Sequence, residues 1–157
     1  MQSRLIVTPL WRVNLRYDAK SASTMRMKEI LKRAVTFTVA QEARMIVRKY
    51  KPTVIMVTGS VGKTSTKDAI RAAFSGKTYV RASEKSYNTE YGVPLTIIGA
   101  ANPWSNTLSW AKVIVEGLWL ILVKNHYPKV LVLEVGADRP GDLAKILKIA
   151  TPDAVVV

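Results

Sequence analysis

Apolar residues fall into two kinds of pattern along this chain. Apolar or β-branched runs occur at 53–58 (TVIMVT), 130–135 (VLVLEV, interrupted only by Glu134) and 154–157 (AVVV), with a weaker one at 78–81. Runs this short and without alternation predict strands buried on both faces of a sheet. Between them, helix-compatible stretches extend over 25–49, 63–75, 105–124 and 140–150. Gly76 stops the second of these, and Pro140 suits the first turn of the last, because its fixed φ is helical. In the first, Ile30, Ala34, Phe37, Gln41, Met45 and Val47 lie close to one stripe, Ser23 or Thr24 stands where an N-cap belongs, and residues 1–24 are expected to be irregular. A polar loop at 82–90 leads into Gly92-Val-Pro-Leu-Thr-Ile-Ile98, and Asn102-Pro103 punctuates the chain before the stretch 105–124. Strands alternating with helices predict an α/β fold with a parallel sheet, preceded by an N-terminal helix. A ligand would lie at the carboxyl ends of its strands.

Composition sharpens this picture in three ways. A chain of 157 residues with 48% hydrophobic content and mean hydropathy +0.09 can build a core, which excludes a disordered class. It has no cysteine, which excludes disulfide frameworks and thiolate metal sites and fits a reducing, cytoplasmic setting. The net charge of +13 is uneven: residues 1–51 carry 12 Lys/Arg against three acids, and residues 52–157 carry 12 against eight. Residues 1–51 therefore read as a basic arm and helix suited to an anionic membrane surface at the inner face of the membrane, with nucleic acid ranked lower. No signal peptide is evident in residues 1–15. The longest apolar stretch, Leu108 to Val123, is interrupted by Lys112 and Glu116 and falls short of the ~20 residues a spanning helix needs.

The chemistry concentrates where the first strand run ends, in Thr58-Gly59-Ser60-Val61-Gly62-Lys63-Thr64-Ser65-Thr66. A strand, a glycine-bracketed turn and a new helix make a phosphate cradle. The glycines let backbone N–H groups turn inward, and the helix N-terminus adds partial positive charge. Lys63 can reach the β- and γ-phosphates, and the Thr64 hydroxyl can hold Mg²⁺. The general phosphate-loop pattern asks for glycine at position 57, where this chain has Val57, so the motif present is the shorter T-G-x-x-G-K-T. The second informative residue is Glu134, at the end of the apolar run 130–135. A carboxylate there needs a cation or strong donors, and an acid on a strand tip beside a phosphate loop holds Mg²⁺ directly or through water.

Four segments, in order, carry a family resemblance: Thr58 to Asp68, Tyr87-Asn88-Thr-Glu-Tyr-Gly92-Val-Pro94-Leu-Thr96, Leu133-Glu134-Val-Gly136-Ala-Asp-Arg-Pro-Gly141-Asp-Leu, and Ala150-Thr-Pro152-Asp153. Together they resemble the central ATP-binding domain of the Mur ligase family over residues 52–157. The resemblance implies ATP and Mg²⁺ as cofactors and an amide-forming reaction through an acyl phosphate in peptidoglycan precursor synthesis. Its partners would be a UDP-muramoyl-peptide-like carboxylate and an amino acid or dipeptide amine. Gly59, Ser60, Val61, Gly62, Lys63, Thr64 and Ser65 would bind the nucleotide, and Thr64 and Glu134 the metal. Lys63, Asn88 and Glu134 would serve the catalytic step, with Asn88 beside the γ-phosphate and the substrate carboxylate. Position 89 is Thr, where relatives often show a second Asn. The sugar-binding domain usual before the phosphate loop, and the histidine motif and C-terminal domain usual after it, have no counterpart, so an incomplete domain that is inactive alone is expected. His126 reads as a surface loop residue. Two alternatives stay open: another phosphate-loop enzyme, such as a kinase or a folylpolyglutamate-synthase-like ligase, and a non-enzymatic membrane-surface or nucleic-acid-binding module.

Overall fold

The computed structural model describes residues 15–83, 91–103, 106–136 and 141–157. It divides into two compact units, Met1–Ala34 and Val35–Val157. The first contains the opening turns of helix α1 (Leu15–Tyr50), whose described side chains there are all exposed. The helix begins ten residues before the expected start at 25, so Ser23 and Thr24 lie inside it and do not cap it.

The second unit is built on a four-stranded parallel sheet of β1 (Thr53–Val57), β2 (Val80–Ala82), β3 (Val130–Glu134) and β4 (Ala154–Val156), in the order β2-β3-β1-β4. The register pairs Thr53 with Val130 and Val57 with Glu134, so β1 and β3 end level with one another. Alternate residues of these strands enter two separate cores. Val54, Met56, Leu131 and Leu133 face a cluster containing Val39, Ala43, Ile46, Val113 and Ile146; Ile55, Val57, Val130 and Val132 face Ile70 and Phe74. Burial on both faces is what the unbroken apolar runs anticipate. The last strand departs from that expectation. Among the described residues β4 pairs with β1, and Val155 and Val156 are 55% and 37% exposed.

Helix α2 (Lys63–Ser75) matches its expected span, stopped at Gly76. The backbone N–H groups of Lys77 and Thr78 both donate to Phe74 O at 2.9 and 3.0 Å, closing the helix, which delays β2 to Val80. Gly92 to Ile98 forms a wholly buried short helix, α3. Helix α4 (Thr107–Leu122) is capped by Asn106, whose side chain accepts from the N–H groups of Leu108 and Ser109 at 3.0 and 3.4 Å. Helix α5 (Asp142–Ile149) starts after Gly141; Pro140, the expected start, lies outside the described residues.

The buried face of α1 within this unit is also not the stripe the sequence suggests. Val39, Glu42, Ala43 and Ile46 are buried, with Val35, Val47 and Tyr50 packed beside them; Phe37, Gln41 and Met45 point outward, and Ile30 and Ala34, in the first unit, are exposed. Val39, Ala43, Ile46 and Tyr50 follow i, i+4, i+7, i+11 spacing, but the stripe runs through a glutamate, and apolar residues stand all around the helix. Glu42 rests against Gly117 of α4, where a Cβ would collide with its carboxylate. Further along, Lys49 Nζ donates to the carbonyls of Leu120, Ile121 and Val123 at 2.9, 2.9 and 2.8 Å, satisfying the C-terminal end of α4. Among the described residues, no helix is long and apolar enough to cross a membrane.

Candidate functional site

The chain leaving β1 turns onto one face of the sheet and the chain leaving β3 onto the other. Ile70 and Phe74 of α2 pack on the Ile55/Val57 face, while Ile146 of α5 packs on the Val54/Met56 face. This makes the adjacent carboxyl ends of β1 and β3 a switch point, where open α/β sheets form their crevices. The loop from Thr58 to Gly62 and the side chain of Glu134 meet there.

The loop's shape depends on two glycines. Gly59 has φ 135° and Gly62 φ 76°, both in the region that side chains disfavour. Gly62 is the residue before α2, and no side chain caps that helix. The first-turn N–H groups of Lys63, Thr64 and Ser65 have no carbonyl partner within the helix, so they form an anion-binding end. Lys63 folds back over the loop and its Nζ donates to Gly59 O at 2.6 Å. Ser60, Val61, Gly62, Lys63, Thr64, Ser65 and Glu134 line one open cleft of about 300 Å³. Of the expected loop residues, Ser60 to Ser65 line the cleft with Glu134, while Gly59 does not line it and meets Lys63 through its carbonyl. Asn88 lies outside the described residues.

Glu134 is buried, at 2% exposure, and meets the requirement for partners in two ways. Thr64 Oγ1 donates to Glu134 Oε2 at 3.1 Å, joining residues 70 apart in the chain. The ammonium of Lys67 stands 3.9 Å from the same oxygen. Lys67 and Ser83 are the residues that sequence reasoning missed. The Glu134 backbone N–H donates to Ser83 Oγ at 3.3 Å, and Lys67 Nζ donates to Ser83 O at 2.7 Å. The signal for Lys67 was present: it is one helical turn beyond Thr64, on the same side of α2, and a buried acid calls for a cation.

The donor set suits Mg²⁺. A hydroxyl and a carboxylate, both hard oxygen ligands, face one another beside an anion-binding loop. Among the described residues there is no group of three or more His, Cys, Asp or Glu able to enclose a metal by themselves. His126 is exposed and stacks on Tyr79 with ring centroids 5.0 Å apart, as a surface loop residue would.

Comparison with known proteins gives the arrangement a context. The family profile described as "Mur ligase middle domain" matches residues 57–157. The UDP-N-acetylmuramoyl-tripeptide–D-alanyl-D-alanine ligase of Bacillus subtilis is 29% identical over 123 residues, covering 78% of this chain and 22% of its own length. The ligase of the same name from Mycobacterium leprae is 32% identical over 105 residues, covering 67% of this chain and 16% of its own. The crystal structure of MurF ligase from Thermotoga maritima in complex with ADP superimposes with a TM-score of 0.54 at 35% identity, over 75% of this chain and 22% of that one. The chain thus spans about a fifth of the length of these relatives.

Proposed function

Because this chain belongs to the Mur ligase family through its middle domain, we propose that it binds ATP in the cleft at the β1 and β3 ends and serves an ATP-dependent, amide-forming ligase of peptidoglycan precursor synthesis. The observation that carries this reading is the convergence of the phosphate loop and Glu134 on one cleft. Residues 52–157 are the nucleotide-binding part, and residues 1–51 a basic arm and helix. The names of the relatives support a UDP-muramoyl-peptide carboxylate as one substrate and a dipeptide amine as the other.

In this proposal the amides from Ser60 to Ser65 and the α2 N-terminus hold the nucleotide phosphates. Lys63 leaves Gly59 O to sit over the β- and γ-phosphates, where it offsets charge that builds up on the transferring phosphoryl. Thr64 and Glu134 would hold Mg²⁺, which supplies further neutralisation of phosphate charge when bound. A substrate carboxylate oxygen attacks the γ-phosphorus and ADP departs, leaving an acyl phosphate. The amine nitrogen then displaces phosphate from the acyl carbon, giving the amide, inorganic phosphate and a proton. Asn88 is assigned to orient the carboxylate beside the γ-phosphate. Calorimetry with Mg-ATP tests the nucleotide reading: Lys63→Ala should abolish most of the affinity while circular dichroism shows an intact fold. Equal affinity in the variant would refute it.

A specific feature favours a second property, contact with an anionic membrane surface on the cytoplasmic side. Leu108, Val115, Leu118, Trp119 and Leu122 are 81%, 64%, 45%, 60% and 79% exposed, and their spacing places them on one side of α4, opposite the buried Val113 and Gly117 packed against Glu42. An apolar helix face bearing tryptophan, on a chain of net charge +13, suits an interfacial helix on acidic lipid.

A further inference from the structure

Among the described residues Lys67 is the most buried cation near the cleft, at 1% exposure, and the phosphate-loop reading gives it no task. Lysines are almost never fully buried unless paired. Its ammonium has one short bond, to Ser83 O at 2.7 Å. It also stands 3.5 Å from Asp68 Oδ1, on a largely exposed side chain, and 3.9 Å from Glu134 Oε2. Ser83 completes a closed circuit: its backbone N–H donates to Val132 O at 3.3 Å, its Oγ accepts from the Glu134 N–H, and its carbonyl accepts from Lys67. The end of β2, the end of β3 and the second turn of α2 are thereby tied at one buried point. Glu134 is held from its backbone by Ser83 and faced at its carboxylate by Lys67 and Thr64.

We propose that Lys67 is a positioning residue for the metal-nucleotide site, which with Ser83 fixes the Glu134 carboxylate at the cleft wall so that Thr64 and Glu134 present their oxygens to Mg²⁺ together. This rests on the nucleotide reading above. Two effects of the ammonium oppose each other. Its charge competes with a metal for the carboxylate, while its anchoring keeps the carboxylate in place. At 3.9 Å it makes no hydrogen bond to Glu134, and its short bond ties it to Ser83. Anchoring therefore dominates. Without Lys67, a buried carboxylate loses its counter-charge and turns toward solvent, away from Thr64.

The test is calorimetric titration of the purified chain with ATP across a series of Mg²⁺ concentrations. Lys67→Met is expected to raise the Mg²⁺ concentration for half-maximal ATP affinity about tenfold, a size typical of partners that orient a metal ligand. Binding of ATP in EDTA should stay within about twofold, because the loop amides and Lys63 are untouched. An unchanged Mg²⁺ requirement alongside a lower Tm would make Lys67 purely structural and overturn the proposal. A lower Mg²⁺ requirement would make it an electrostatic competitor and overturn it equally. If the wild-type protein binds no ATP, the nucleotide reading fails instead, and thermal melts then decide the role of Lys67 separately. Lys67→Met should lower Tm less in a Glu134→Gln background than in wild type, since the charge pair is then removed together. Equal losses, or a double variant that does not fold, would refute the coupling.

Discussion

Replacing Glu42 with glutamine should stabilise the fold at pH 8 and leave it nearly unchanged near pH 4.5. The carboxylate is 4% exposed, and neither oxygen has a hydrogen-bond partner among the described residues. Burial pushes its pKa from the ordinary 4.5 up to about 7. A raised pKa in an acid means that the folded state binds the proton more tightly than the unfolded chain. Stability is therefore lost as pH rises from about 4.5, and the loss is complete above about 7. The proton affinity gained on folding amounts to about 3 kcal/mol at most, at about 1.36 kcal/mol per tenfold change, since water entry and relaxation around Glu42 would reduce it. In a domain of this size 1 kcal/mol moves Tm by roughly 4 °C, so the variant should melt on the order of 10 °C above wild type at pH 8. Other groups also titrate over this range, so the quantity to follow is the Tm difference between the two proteins, measured by circular dichroism from pH 4.5 to 8. Glutamine keeps the shape beside Gly117, which rules out a cavity as the cause. A difference that stays flat across this range would show that the carboxylate is solvated or paired, and the argument from burial would fail.

Two other outcomes are expected from the site and the surface. Glu134→Gln should lower the Mg²⁺ enhancement of ATP affinity by about tenfold or more, with binding in EDTA nearly unchanged; an identical Mg²⁺ dependence in calorimetry would leave Glu134 a structural residue. Vesicles containing phosphatidylserine should co-sediment the protein and shift Trp119 fluorescence at low salt, with Trp119→Ser and Leu122→Ser together weakening this severalfold; failure to bind vesicles, or equal binding by the double variant, would remove the membrane reading.

The elements that were legible in the sequence are those whose signals are local. The span of α2 was readable because Gly62 and Gly76 bracket it, and φ 76° at Gly62 is a backbone state set by residue type. β1 and β3 were readable because unbroken apolar runs have few alternatives to a doubly covered strand. The phosphate loop, a contiguous motif between β1 and α2, carried its chemistry in its spacing. The requirement that Glu134 find a partner was also legible, since burying a carboxylate beside Leu133 and Val135 is unfavourable in any fold.

Tertiary structure alone decided who the neighbours are. Strand order is a matter of crossovers, and nothing in the side-chain pattern of β3 states that it inserts between β2 and β1. That insertion brings Glu134 to Thr64 and places the Ser83 carbonyl over Lys67. The face that α1 buries could not be chosen by periodicity either, because its apolar residues surround the helix and the stripe that packs contains Glu42. Gly117 on α4, with no side chain of its own, leaves room for that carboxylate. Local sequence sets which backbone states a segment can adopt; which surfaces meet depends on contacts between residues far apart in the chain, and there the site is assembled.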